Sequence, residues 1–141
     1  MPTLLVKPDG DHGRVVHVTP QSAGWTYVGF DVHRLAPGER VAAGTGDREV
    51  CLVLVSGRAH VRAGDLDAGT IGERMSPFDG KPWSVYVPAG SDWAVTAATD
   101  VTLAVCSAPG AAGARPPRVI GPDDVGTETR GKGSNVRHVA N

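Results

Sequence analysis

The chain has 141 residues, is 40% hydrophobic and 21% charged, and has a formal net charge of −1. A chain this long buries roughly 70% of its unfolded surface, so it can fold without disulfides or a structural metal. Its near-zero charge and pI of about 6.5 exclude nucleic acid and anionic membrane as main partners, since both require a surplus of Lys and Arg on one face.

From the N-terminus, Leu4-Leu5-Val6 runs into Lys7-Pro8-Asp9-Gly10 and is too short an apolar core for a secretory signal. The longest apolar run, Val50-Cys51-Leu52-Val53-Leu54-Val55, is far below the roughly twenty residues of a membrane span. A cytoplasmic protein is expected, with Cys51 and Cys106 as thiols rather than a disulfide.

Nineteen glycines and eleven prolines are spread through the chain and leave little room for helices. Outside 91–108, no stretch free of both exceeds the ten residues from Asp47 to Ser56. The expected fold class is therefore all-β. Seven strands are predicted, at Arg14 to Thr19, Trp25 to Leu35, Glu49 to Val55, Arg58 to Arg62, Ser84 to Val87, Trp93 to Thr96 and Val101 to Cys106. Short strands bounded by turn residues point to a sandwich or barrel. Val50 to Val55 is apolar on both faces, so it is expected to be the most buried strand and to lie between two layers.

At Pro109 the composition turns to linker chemistry, Pro109-Gly110-Ala111-Ala112-Gly113-Ala114, followed by Arg115-Pro116-Pro117-Arg118. Only Val119-Ile120 and Val125 interrupt the polar remainder. The expected organisation is a domain over 1–113 and an extended C-terminal arm over 114–141 that needs a surface to lie on. The end at Asn141 reads as cut rather than finished.

Candidate chemistry is sparse. Two metal ligands on one strand normally sit at i and i+2, and the five histidines, at 12, 17, 33, 60 and 138, include no such pair. Cys51 and Cys106 stand in apolar strands and read as small hydrophobes. Gly-x-Ser-x-Gly is absent, and Gly44-Thr45-Gly46 lacks the Lys and further glycines of a phosphate loop, so it reads as a turn. Glu49, opening the apolar strand, is either a base or ligand at a barrel mouth, a structural carboxylate paired with an Arg such as Arg40 or Arg48, or simply a solvated strand end. His33 and His60 are expected to face solvent or to be hydrogen-bonded. Trp25, Tyr27 and Phe30, like Trp83 and Trp93, either line a pocket or pack the core, the commoner use of an aromatic. No catalytic or metal-binding residue is assigned.

Pro37-Gly38-Glu39, Glu49 with its strand to Gly57, and Pro88-Ala89-Gly90-Ser91-Asp92-Trp93 resemble the two cupin motifs in order and spacing. The resemblance implies a cupin-type jelly-roll barrel. Metal-binding cupins place His-x-His before the Glu and a further His after Pro-x-Gly. Those places fall here on Ala43 and Thr45, or Ala42 and Gly44, and on Trp93. The resemblance leaves Glu49 as the one ligand type and implies a barrel without metal, its centre filled by the indole.

Ala23 to Phe30, Arg34-Leu35-Ala36-Pro37-Gly38-Glu39, Pro88-Ala89-Gly90 and Arg130 to Arg137 are similar to the N-terminal half of the 5-deoxy-glucuronate isomerase family, two-cupin enzymes of myo-inositol catabolism. That resemblance implies an aldose-ketose isomerisation of a sugar-acid substrate, with a divalent metal in a C-terminal cupin that would be this chain's partner. This half would be structural and inactive alone, and a homodimer is compatible with it. The alternative is a stand-alone metal-free binding module for a small acid or sugar acid.

Overall fold

The computed structural model describes residues 5–113 and 115–141. Leu4 of the apolar N-terminal run and Ala114 of the linker lie outside the described residues. The chain forms β1 (Gly13–Val18), a single-turn helix α1 (Pro20–Ala23), β2 (Gly29–Leu35), β3 (Arg40–Gly44), β4 (Arg48–Ser56), β5 (Ala59–Ala63), β6 (Leu66–Ile71), β7 (Trp83–Val87), β8 (Asp92–Ala97), β9 (Val101–Pro109), β10 (Arg118–Ile120), β11 (Thr127–Arg130) and β12 (Arg137–Ala140). A six-stranded sheet in the order β1-β2-β9-β4-β7-β10 faces a four-stranded sheet in the order β3-β8-β5-β6, and every pairing is antiparallel. The chain crosses repeatedly between the sheets, and the core lies between them. The fold is an all-β, cupin-type jelly-roll barrel.

Pleating sends alternate side chains to opposite faces. Val50, Leu52 and Leu54 of β4, Val101, Leu103 and Val105 of β9, and Val85 and Val87 of β7 meet Ala59, Val61 and Ala63 of β5 and Trp93, Val95 and Ala97 of β8 in one apolar cluster. Trp93 is only 5% exposed and fills much of the space between the sheets.

Three expectations need correction. The strand expected from Trp25 begins at Gly29. Thr19 and Ser22 cap α1 reciprocally, Gly24 ends it in the left-handed region at φ 68°, and 25–28 then form a loop. Second, five further strands exist. β3 and β6 lie at the edges of their sheet, where pairing on one side tolerates the Ala, Asp and Gly that hide them in sequence. Third, β4 is not the most buried strand. Its outward residues Cys51, Val53 and Val55 are only half-buried, whereas β9 buries Val101, Leu103, Ala104 and Val105.

The C-terminal segment carries short strands of its own. β9 continues to Pro109, and β10 adds a strand to the large sheet by pairing Arg118, Val119 and Ile120 with Tyr86, Val85 and Ser84. β11 and β12 then pair with each other, and Gly126 and Asn141 exchange backbone hydrogen bonds at the open end of the hairpin. Lys81 Nζ donates to the carbonyl of Val125, itself buried. Val119 and Val125 supply apolar anchors that the polar composition of this stretch conceals.

Gly57, closing the first cupin-like motif, has φ +93°, and an added Cβ would sit 2.1 Å from the carbonyl oxygen of Asp100. Only glycine fits that close crossing. Replacing Trp93 with Ala leaves a cavity between the sheets and is expected to cost roughly 3–5 kcal/mol of unfolding free energy. Urea titration of the two proteins checks this, and a loss no larger than a surface substitution would refute the packing described.

Candidate functional site

The positions singled out by the cupin-like motifs serve packing and loop closure. Ala43 and Trp93 face each other across β3 and β8. Thr45 is buried, and its Oγ1 donates to the carbonyl of Pro88 at 2.8 Å while accepting from the backbone N–H of Ser91 at 2.9 Å. Backbone bonds from Thr45 N to Ser91 O and from Gly90 N to Gly46 O complete the stitch. Gly44 ends β3, and the turn expected at Gly44-Thr45-Gly46 falls at Gly46-Asp47, with Gly46 at φ 58°; Thr45 between them ties the two motif loops together.

Glu49 lies on the other side of the wall. Because Val50 points into the core, Glu49 points outward, where its carboxylate accepts a 2.9 Å hydrogen bond from Tyr86 Oη. Glu49 therefore opens onto no barrel mouth, and its partner is neither Arg40 nor Arg48. Arg48 instead donates to the carbonyls of Tyr27 and Ser107 and to Ser107 Oγ. Burial and the Glu49 carboxylate hold the Tyr86 phenol above its ordinary value.

The histidines are scattered. His12 meets Glu39 at 2.9 Å, His60 meets Asp67 at 2.7 Å as expected of a hydrogen-bonded histidine, and His138 meets the Thr129 hydroxyl at 3.1 Å. His33 differs from expectation: it is 9% exposed and faces inward on β2 opposite Leu103. Burial pushes its pKa below 6.5, with Arg14 and His17 acting in the same direction and Asp31 opposing. The aromatic expectation divides as well. Trp93 is core and Trp83 packs against it, but Trp25 and Tyr27 are 51% and 64% exposed. Cys51 and Cys106, remote in sequence, are direct cross-strand neighbours on the outward face, and burial raises both thiols above their ordinary pKa. Raised, half-buried thiols are poor nucleophiles.

One polar cavity forms beside β1 and β2. It measures about 360 Å³ and is lined by His17, Gln21, Asp31, Asp47, Arg48 and Ser107. His17 Nδ1 lies 2.6 Å from Asp31 Oδ1, and the Trp25–Val28 loop is tied to its rim through the Arg48–Tyr27 bond. Sequence reasoning missed this cluster because its members come from β1, α1, β2, β4 and β9, and only the register of His17 against Asp31 brings the pair together. It offers donors and acceptors to a small polar molecule.

The barrel interior does not fit a divalent metal. The motif positions present a methyl group, a hydroxyl already committed to backbone partners, and an indole, while the one carboxylate faces outward. Among the described residues, no three His, Cys, Asp or Glu converge to hold a metal ion, and no helix is long and apolar enough to cross a membrane.

The model of the KduI/IolB family matches residues 4–141. The chain belongs to the KduI/IolB family. It is 48% identical over 132 residues to the 5-deoxy-glucuronate isomerase of Geobacillus kaustophilus, covering 93% of this chain and 48% of that protein. The isomerase of Geobacillus thermodenitrificans is 46% identical with the same coverage. The crystal structure of an IolB-like protein from Salmonella typhimurium LT2 superposes with a TM-score of 0.95 at 50% identity, covering 99% of this chain and 53% of that chain. Oxalate decarboxylase of Bacillus subtilis shares the fold alone, with a TM-score of 0.54 at 18% identity over 74% of this chain and 27% of that one. This KduI/IolB chain thus spans about half the length of the relatives it matches.

Two outcomes follow. Thr45→Val keeps the shape but leaves the Pro88 carbonyl and the Ser91 N–H without the hydroxyl, so stability falls by about 1–3 kcal/mol. Denaturant unfolding measures it, and an unchanged midpoint would contradict the stitch. For His33, the folded pKa is depressed, so below pH 6.5 the unfolded chain takes up a proton that the folded chain resists. Its contribution is present above pH 6.5 and is lost as the pH falls through that value toward the folded pKa. Between about pH 7.5 and about pH 5.5, the chain loses more stability than His33→Gln does; equal losses would count against the buried neutral imidazole.

Proposed function

We propose that this chain is the structural, N-terminal half of a 5-deoxy-glucuronate isomerase, which interconverts 5-deoxy-D-glucuronate and 2-deoxy-5-keto-D-gluconate in myo-inositol catabolism. The single observation that carries the reading is the match, over 93% of this chain and 48% of its relative, to a protein bearing that name. The packed interior supports the division of labour. Moving a carbonyl to the adjacent carbon requires a proton to be carried between carbons and charge on oxygen to be stabilised. Trp93, Val61 and Leu103 provide neither at the barrel centre. In this reading, the divalent metal implied by the family resemblance belongs to the other half, and this half holds that half in shape.

The test is a pair of proteins, the 141-residue chain and a chimera in which it replaces the matching part of the Geobacillus kaustophilus enzyme. The chimera is expected to isomerise 5-deoxy-D-glucuronate, followed by NMR, and the chain alone to leave the substrate unchanged. Turnover by the chain alone at a rate near the chimera's would overturn the structural role. A folded chimera without activity would overturn the isomerase assignment.

A second reading, a binding module for a small acid or sugar acid, is favoured by the cavity that holds His17, Asp31 and Arg48. Calorimetric titration of the chain with sugar acids separates it from the first. Micromolar binding, abolished by Arg48→Met with the fold intact, supports a module, and absence of heat supports the half-enzyme.

A further inference from the structure

The outer faces of the two sheets are built differently. On the four-stranded sheet the outward positions carry Arg40, His60, Arg62, Asp92 and Thr96, as expected of a face bathed in water. The central strands of the six-stranded sheet point Phe30 and Val32 from β2, Ala104 and Cys106 from β9, and Cys51 and Val53 from β4 outward, without one charge; small Ala104 is buried among its neighbours and the other five are half-buried. Cys51 stands opposite Cys106, and Val53 opposite Ala104, so the apolar groups form a continuous strip in the middle of the sheet. Charged groups appear at the flanks, with Arg34 toward one end of β2, Arg118 on the last strand, and Glu49 tied to Tyr86. An uncharged centre inside a polar rim is the anatomy of a protein interface.

We propose that this outward face of the six-stranded sheet is the surface on which the other half of the two-cupin protein docks, with Val53, Cys51, Cys106 and Phe30 at its centre. The inference rests on the half-isomerase reading. β4 is written for two apolar layers, yet the chain supplies one, the four-stranded sheet over Val50, Leu52 and Leu54. The relatives continue beyond the matched region for about as many residues again, since this chain covers 48% of the Geobacillus kaustophilus protein and 53% of the Salmonella typhimurium chain. A second domain of similar size is what a sheet face with an apolar centre accommodates, by packing a further layer about 10 Å away.

The two thiols at the centre of the strip report on it directly. The 141-residue chain and the active chimera are treated with a maleimide at one pH, and labelling of Cys51 and Cys106 is followed by peptide mass spectrometry. Half-buried thiols with raised pKa label slowly, so at a mildly alkaline pH both are expected to label at a measurable rate in the chain alone and at least roughly tenfold more slowly in the chimera, where labelling requires the interface to open. Equal labelling in a chimera that isomerises its substrate would overturn the docking surface and leave the half-isomerase reading standing. A folded chimera that is inactive defeats both. Protected thiols in the chain alone, together with a sedimentation mass twice 14.6 kDa, would overturn the proposal in favour of a second copy on this face. Should the fused chimera fail to fold, the remaining half is produced as a separate chain and mixed with this one. Protection on mixing, lost with Val53→Arg, upholds the surface, and its absence overturns it.

Discussion

The pleat of β4 governs what this molecule can and cannot do. Val50, Leu52 and Leu54 go inward and close the barrel against Val61, Val95 and Trp93, so Glu49, Cys51 and Val53 must go outward. A shift of one residue would bring Glu49 to the interior and expose the aliphatic core, at a cost of several buried side chains worth about 1.5–3 kcal/mol each. Burial therefore fixes the register. Glu49, at the place of the cupin-motif carboxylate, is consequently an outward-facing group bonded to Tyr86.

The same alternation organises the rest of the chain. Inside, residues such as Leu103, Val87 and Ala59 are almost wholly out of contact with water, and the histidine that enters, His33, is held toward its neutral form. The loops that would carry ligands in a metal-binding relative are fastened to one another through Thr45, Ser91 and Pro88. Beside β1 and β2, His17, Asp31 and Arg48 border a cavity open to solvent. Apart from His33, buried in the wall, the titratable side chains of the strands lie at the ends and outer faces of the barrel.

Much of this is legible in the chain itself, and the illegible parts have identifiable causes. Glycine and proline spacing excludes long helices, and Val-rich runs locate β1, β4, β5, β7 and β8 to within a residue and the start of β9, which runs three residues past its expected end. Edge strands escape because β3 and β6 need bury only one side and carry Ala, Asp and Gly where periodicity would otherwise speak. The start of β2 is misplaced because Trp25 and Tyr27 have strand-like composition but follow the left-handed cap at Gly24. β10 is three residues long and anchored by pairing with β7 rather than by composition. The orientation of Glu49, the pairing of Cys51 with Cys106 and the meeting of His17 with Asp31 all depend on cross-strand register, which no single segment encodes.

The interior of this barrel is closed by Trp93 and its aliphatic neighbours, and the chain spans about half the length of the relatives it matches; on the reading proposed above, its contribution is architectural. Equilibrium dialysis of the 141-residue chain against Mn²⁺, Fe²⁺ and Zn²⁺, read by elemental analysis, tests this most directly. The account predicts no stoichiometric uptake of any of the three ions. One tightly held ion per chain, lost on replacing an interior residue such as Thr45 but retained in Glu49→Gln, would contradict it.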